Sequence, residues 1–367
     1  MVVFERDLSA EASRRLDEAW LKRFSAALHA DRGFYVAIAV YVIAGFAFAA
    51  LARRELHFDG AYFRVWMQLI VSALALSLTI GLCGAVVRGS AHGRWEAAGK
   101  AVRHSLRPEI AAGLLLFAGL GLFTAAFTAI KCMLPHARPF WADALLADFD
   151  RALFFGRDPW LWLQPLLGRY AVTSVVEFVY GPVWITMMLL APLFAAAFMQ
   201  RGALRNQFLA AYLLAWSVNG TLIAGLMMSA GPAFFAQVTG DAARFGQLVS
   251  YLQYNLDWSM SASAGQHMLW SLYQHQLSSL GAGISAFPSM HMSMTTLCVL
   301  AAWRLDRRAG WAMLAFAVVI TAGSIHLAWH YAADGLFAIV SSVCLWKLAG
   351  WATRRADARE RGSAPTA

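Results

Sequence analysis

The sequence predicts an all-α, polytopic membrane bundle of about eight transmembrane helices, and three observations carry that prediction. First, the 367 residues are 60% hydrophobic and only 14% charged, with a mean hydropathy of +0.54; a soluble domain is about 45–50% apolar and about 25% charged. Second, eight apolar stretches are long enough, or nearly so, to cross a bilayer: 34–52, 65–87, 110–130, 171–199, 208–228, 290–303, 311–329 and 335–351. Of the 51 charged residues, only Glu177 and Lys347 fall inside them. Lipid offers no water to satisfy a backbone, so spans must be closed helices or closed barrels, and runs of this length favour helices. Third, with the N-terminus inside, the inner connections hold 20 Lys and Arg residues and the outer ones hold 9, the asymmetry expected of an oriented membrane protein.

In chain order, residues 1–33 are a charged cytoplasmic segment without a cleavable signal pattern. Within it, Ala10–Leu28 is amphipathic and suits either the inner membrane surface or a solvated helix. Residues 34–109 hold two accessory spans, 110–351 a six-span core, and 352–367 a polar, mobile cytoplasmic tail. The span 290–303 is short and is expected to gain a turn from the residues before it, with Pro288 kinking or starting the helix. The two long outer connections, 131–170 and 229–289, are rich in Trp and Tyr, including Trp141, Trp160, Trp258 and Trp270. Such rings favour the headgroup zone, so both are expected to form interfacial helices roofing the outer face.

This composition excludes a disordered chain, a collagen-like repeat and a disulfide scaffold. The basic residues form no single stripe, so nucleic acid is not the expected partner. Cys83, Cys298 and Cys344 lie in spans and Cys132 stands alone near the outer face, so all four are expected to be free thiols.

Three polar clusters stand at outer ends of spans: Lys131 to Pro139 with Lys131 and Arg138 seven apart, Pro288-Ser289-Met290-His291, and His330-Tyr331-Ala332-Ala333-Asp334. Each is ordinary alone. Together they share one membrane face and a coherent chemistry. Lys131 and Arg138 offer positive charge and donors that suit phosphate, and Ser289 offers a hydroxyl. His330 and His291 can divide the roles of nucleophile and general acid. If His330 and Asp334 lie on one helix, their spacing puts them on one face, where the carboxylate can orient the imidazole.

This constellation resembles the type-2 phosphatidic acid phosphatase superfamily of membrane enzymes, whose pattern is Lys-x6-Arg-Pro, Pro-Ser-Gly-His and Ser-Arg-x5-His-x3-Asp. Lys131 to Pro139 match the first element. The second is matched except for Met290 in place of Gly, and the third keeps His330 and Asp334 but has Gly323-Ser324 where Ser-Arg is expected. The stretches 284–291 and 329–335, with Asp150-x3-Phe154-Phe155-Gly156-x-Asp158-Pro159 and Gly231-Pro232, are similar to the branch containing inositol phosphorylceramide synthases and their bacterial relatives. The resemblance implies a double displacement through a phosphohistidine. His330 attacks phosphorus and Asp334 orients it. His291 serves as acid and base, while Lys131, Arg138 and Ser289 hold the phosphoryl oxygens. It implies no metal and no cofactor.

The missing Arg bears on the substrate. Each charge-assisted hydrogen bond is worth roughly 1.5–3 kcal/mol, so a two-cation pocket suits a phosphodiester monoanion better than a monoester dianion. The expected function is transfer of a phosphoryl headgroup from a membrane phospholipid to a lipid or polyol alcohol. The alternatives are a lipid phosphate or polyprenyl phosphate phosphatase, and a non-catalytic lipid transporter or scaffold. The expected setting is the inner (plasma) membrane, with both termini cytoplasmic and the site facing outward. Three further residues are secondary candidates. His326 contacts phosphate in place of the Arg, joins His330 and Asp334 around a metal, or packs helices. Ser324 stands where the Arg is missing. Glu177, an acid inside a span, pairs with Lys131 or Arg138, orients His291, or is structural.

Overall fold

In the computed structural model the residues described are 18–88, 102, 107–255 and 261–362, and among them the chain is helical with no strand. Residues 1–17, which hold part of the expected amphipathic segment, and Trp258 lie outside the described residues. A helix over 18–30 (α1) leads into α2 (Arg32–Leu51) and α3 (Gly60–Arg88). Apart from a short helical stretch at Pro232–Phe234 and Phe235–Thr239, the remaining elements are α4 (Pro108–Ala137), α5 (Asp143–Leu153), α6 (Pro159–Leu167), α7 (Tyr170–Phe198), α8 (Ala203–Leu226), α9 (Ala243–Asn255), α10 (Ala262–Gln274), α11 (Met290–Leu305), α12 (Arg307–His326) and α13 (Ala332–Gly362).

Seven of these are long and apolar enough to cross a membrane. The eighth expected span is α11, a helix of 16 residues and about 24 Å. It gains no turn from the preceding residues: Ser289 caps it and accepts the Met292 amide at 3.3 Å, which leaves Pro288 outside the helix. Local chemistry sets the other ends too. Pro108 opens α4 with Glu109 behind it, and Asp306 caps α12 by accepting the Arg308 and Ala309 amides at 2.8 and 3.0 Å. Pro182 sits within a wide π-turn of α7 spanning Val179–Val183, which absorbs the amide that proline lacks. The polar tail begins as helix, since α13 continues to Gly362.

The spans are not equivalent. The apolar window of α4 is 72% buried, against 17% for α2 and 11% for α3. α4 is therefore the central strut, and the two accessory helices lie against it with most of their side chains facing out. Ile43, Val71 and Ile80 on α2 and α3 are exposed, a surface that suits hydrocarbon and not water. α4 meets the last turn of α7 closely: a Cβ at Gly113 would lie 2.3 Å from the Ala196 carbonyl oxygen, the small-residue contact by which membrane helices approach.

α4 also separates two polar ends. Glu109 starts it and Lys131 lies near its other end, about 33 Å away along the axis. At the Glu109 end, Arg205 donates to both oxygens of the buried Asp31 at 2.6 and 3.0 Å and to the Ala195 and Ala196 carbonyls, and Arg201 adds a bond of 3.0 Å. At the Lys131 end, both long connections fold as short helices, α5 and α6 from the first and α9 and α10 from the second. All four cysteines are free.

Candidate active site

His330 stands in the five-residue link 327–331 between α12 and α13, not on a helix, so the expected one-face spacing with Asp334 is corrected. Their pairing has another origin. Asp334 occupies the third position of α13, and its Oδ2 reaches back to accept the Tyr331 amide at 3.1 Å, half of a capping box. The same oxygen accepts His330 Nδ1 at 3.1 Å. The link is drawn tight from the other side as well. Ala328 adopts a left-handed conformation, φ +58°, and the Trp329 and His330 amides both donate to the Ser324 carbonyl at 3.0 Å. Burial, and then the charge of Lys131, hold the His330 imidazole down at about 3, with a hydrogen bond to the Ala286 backbone acting the other way. The ring is therefore neutral throughout the ordinary pH range, with Nδ1 committed to the carboxylate.

His291 lies in the first turn of α11, 5.9 Å from His330 between ring centroids. Its ring packs on Tyr180 at 4.2 Å and on Trp184 at 3.9 Å. Trp184 is itself fixed, since its indole N–H donates to the His291 carbonyl and to Thr295 Oγ1. Lys131, Glu177, His291 and His330 line one cavity of about 620 Å³ with a mostly apolar wall, within the usual range for a ligand site. The loop carrying Gly283 presses on the lysine: Gly283 has φ +94°, and a Cβ there would come within 2.9 Å of Lys131 Cγ. Glu177 Oε1 accepts the Ala262 amide at 2.7 Å, so this intramembrane acid caps roof helix α10 at the cavity edge.

The other expected residues are not brought into that cavity. Arg138 follows the last turn of α4, is exposed, and lies over the Trp141 ring at 5.7 Å. Ser289 is fully buried as the cap of α11, and its amide donates to the Asp334 carbonyl at 3.2 Å. Ser324 positions the His330 backbone, while its hydroxyl donates to Thr321. His326 Nε2 bonds Thr173 Oγ1 at 3.0 Å; Thr173 also bonds Tyr251, so His326 ties α12 to α7 and α9. Among the described residues no three His, Cys, Asp or Glu side chains gather as a metal site.

Two aspartates of the 131–170 connection, Asp143 and Asp150, hold the His330 segment in place. Asp143 accepts from Ser229 Oγ, from the Ala230 and Gly231 amides, and from the Tyr331 hydroxyl at 2.9 Å. Asp150 accepts the Ala332 and Ala333 amides at 2.6 and 2.8 Å, capping α13 from outside. Asp158 pairs with Arg151 and Arg244. Burial raises both capping acids, Asp150 to about 7, against the amide bonds that favour their charged forms. Sequence reading noticed Asp150 and Asp158 only as part of a resemblance and missed Asp143; the signal available was a row of acids in an otherwise apolar, membrane-facing connection.

The chain can thus present a neutral, oriented imidazole, a second imidazole in an aromatic clamp, and one fixed cation to a ligand whose apolar part fills the cavity. A family model described as the PAP2 superfamily matches residues 144–349. That range contains His291, His330 and Asp334 and begins after Lys131 and Asp143. No curated protein and no solved structure matches the chain.

Proposed function

The chain belongs to the PAP2 superfamily, a family of lipid phosphatase and phosphotransferase type, and from that premise we propose that it moves the phosphoryl headgroup of a phospholipid to an alcohol through a phosphohistidine on His330. The observation that carries this reading is the joint lining of one apolar cavity by His330, His291 and Lys131. In the first step the ring nitrogen of His330 that Asp334 does not hold leaves its contact with the Ala286 backbone and forms a bond to phosphorus as the bond to the lipid oxygen breaks. His291, protonated once the anionic headgroup sits beside it, gives that oxygen its proton. In the second step an alcohol attacks phosphorus, His291 takes the alcohol's proton, and the nitrogen–phosphorus bond breaks. Asp334 keeps Nδ1 protonated and aimed throughout, the arrangement that lets a carboxylate stabilise a developing imidazolium. Positioning and charge stabilisation supply most of such a reaction.

The charge of the site supports a diester donor. Lys131 is the one Lys or Arg among the cavity-lining residues, with Arg138 exposed beyond it and Gly323-Ser324 in place of a Ser-Arg pair. One cation balances a monoanionic diester; a monoester dianion calls for more. The surplus of basic residues in the connections at the Asp31–Arg205 end supports an orientation with that end in the cytoplasm and the site opening outward.

The test uses purified protein in defined vesicles, with released phosphate and newly formed phospholipid measured together. Transfer predicts new phospholipid in proportion to added lipid alcohol; a water-soluble phosphorylated headgroup from a diester, or free phosphate from a monoester, as the sole product makes water the acceptor and the protein a hydrolase. Tighter inhibition by inorganic phosphate and monoesters than by diesters would overturn the diester reading.

A further inference from the structure

The cavity that holds His330 does not end at the family-matched part of the chain. Its wall continues onto accessory helix α3 through Tyr62, Val65 and Trp66, which face Phe127 and Thr128 of α4 and Trp216 of α8. We propose that α3 is the wall that selects the hydrocarbon chain of the substrate, with Val65 and Trp66 setting how long a chain fits. This rests on the reading above that the substrate is an amphiphilic phosphate ester.

The first two turns of α3 are built for a fixed position, unlike the rest of that helix. Trp66 is 4% exposed and stacks on Phe117 of α4 at 5.4 Å with the rings 5° from parallel. Its seat exists because residue 121 is glycine: a Cβ there would fall 2.0 Å from Trp66 Cδ1. Tyr62 hydrogen-bonds Thr128 Oγ1 through its hydroxyl, which also accepts the Gly281 amide at 3.1 Å. Gly281 belongs to the loop that leads to Ser289 and His291. One turn of α3 is thus bound both to the central strut and to the loop entering the reacting site. Beside these residues, Phe63 is 71% exposed, so the same helix turns one face to the cavity and the other outward. A simple anchor needs the Trp66–Phe117 stack alone; it does not need Val65 on the cavity wall.

The experiment reads bound lipid, not turnover. Full-length protein carrying His330→Asn, so that no probe is consumed, is incubated in a sugar detergent with an equimolar mixture of phosphatidylglycerols of increasing acyl length, and the bound species are counted by native mass spectrometry. Each buried methylene is worth roughly a fourfold step in affinity, so a chain-length limit appears as a sharp maximum. Adding Trp66→Leu should move the maximum to longer chains, raising the long-to-short ratio at least about fivefold. Val65→Trp should move it to shorter chains and keeps the test decisive if the Trp66 variant does not fold. Phe63→Leu should leave it in place. An unchanged distribution in the Val65 variant, or an equal shift with Phe63→Leu, overturns the proposal. The two readings fail separately. Wild-type protein inactive on every phospholipid with a shifted distribution in the variants removes the reaction and keeps the wall. Turnover with an unmoved maximum does the reverse.

Discussion

The carboxylate of Asp143 accepts the hydroxyl of Tyr331 at 2.9 Å, one residue past the imidazole that the reaction turns on. Asp143 collects three further groups from the loop at Ser229–Gly231, so it joins the 131–170 and 229–289 connections to the residue after His330. Replacing it with Ala strands two buried amides and two hydroxyls, each at roughly 1–3 kcal/mol. Asp143→Ala should lower thermal stability in detergent by at least about 3 kcal/mol, whereas Tyr331→Phe should cost roughly 1–2 kcal/mol. Equal melting temperatures for Asp143→Ala and wild type would remove Asp143 from this role.

Folding lowers the His330 pKa to about 3, from an unfolded value of about 6.5. Between those values the unfolded chain binds a proton that the folded chain does not. Stability contributed by the neutral ring is therefore complete above about pH 6.5 and is lost as the pH falls towards 3, with a limiting slope of about 1.4 kcal/mol per pH unit. Asp150, raised to about 7 by burial, slopes the opposite way but is common to both proteins compared. His330→Asn should accordingly gain stability relative to wild type as the pH drops from 6.5 to 4.5, read from melting temperatures across that range. Parallel pH curves would contradict the low pKa.

Lys131 and Arg138 share a sequence motif but not a site. Lys131 lines the cavity, while Arg138 is exposed over Trp141. Lys131→Met should reduce kcat/KM by about 100-fold or more, the scale of losing one fixed charge on a reacting oxyanion. Arg138→Ala should stay within about tenfold, because an exposed cation contributes little. Equal losses would place Arg138 at the substrate in a closed state of the enzyme.

A general-acid role for His291 has a signature in the leaving group. His291→Ala should slow turnover of a natural phospholipid by roughly 10²–10⁴. With p-nitrophenyl phosphorylcholine, whose leaving phenolate needs no proton, the loss should shrink to about tenfold or less. A loss independent of the leaving group would assign His291 to binding alone.

Much of the fold was legible because its cause is local. Runs such as 110–130 carry no charged side chain and close their backbone bonds within the helix; Pro108 and Asp306 then open α4 and α12. The sequence puts Lys131, His291 and His330 at span ends; that they line one cavity is a property of the fold, which spacing alone does not give. Side-chain direction was not legible either. Ser289 and Asp334 both sit near helix starts, where their oxygens serve backbone amides at 3.3 and 3.1 Å; sequence spacing does not say whether a hydroxyl caps or binds. His326 follows His330 in type but meets Thr173, 153 positions earlier. Asp143 was missed for the same reason: its four partners come from segments about 86–188 residues away.

The bond between Asp31 and Arg205 puts an order on biogenesis. The ribosome makes the acid 174 residues before its partner, so the leading helix waits in the bilayer until the arginine arrives. An unescorted arginine at mid-bilayer costs about 2.5–3.5 kcal/mol on insertion scales, and Arg205 lies near the start of its span, where the acid can meet it. A chain trimmed to residues 144–349 keeps the guanidinium and loses its escort. It should be inserted poorly and cleared by quality-control proteases, even though every histidine and aspartate of the reaction scheme is still present.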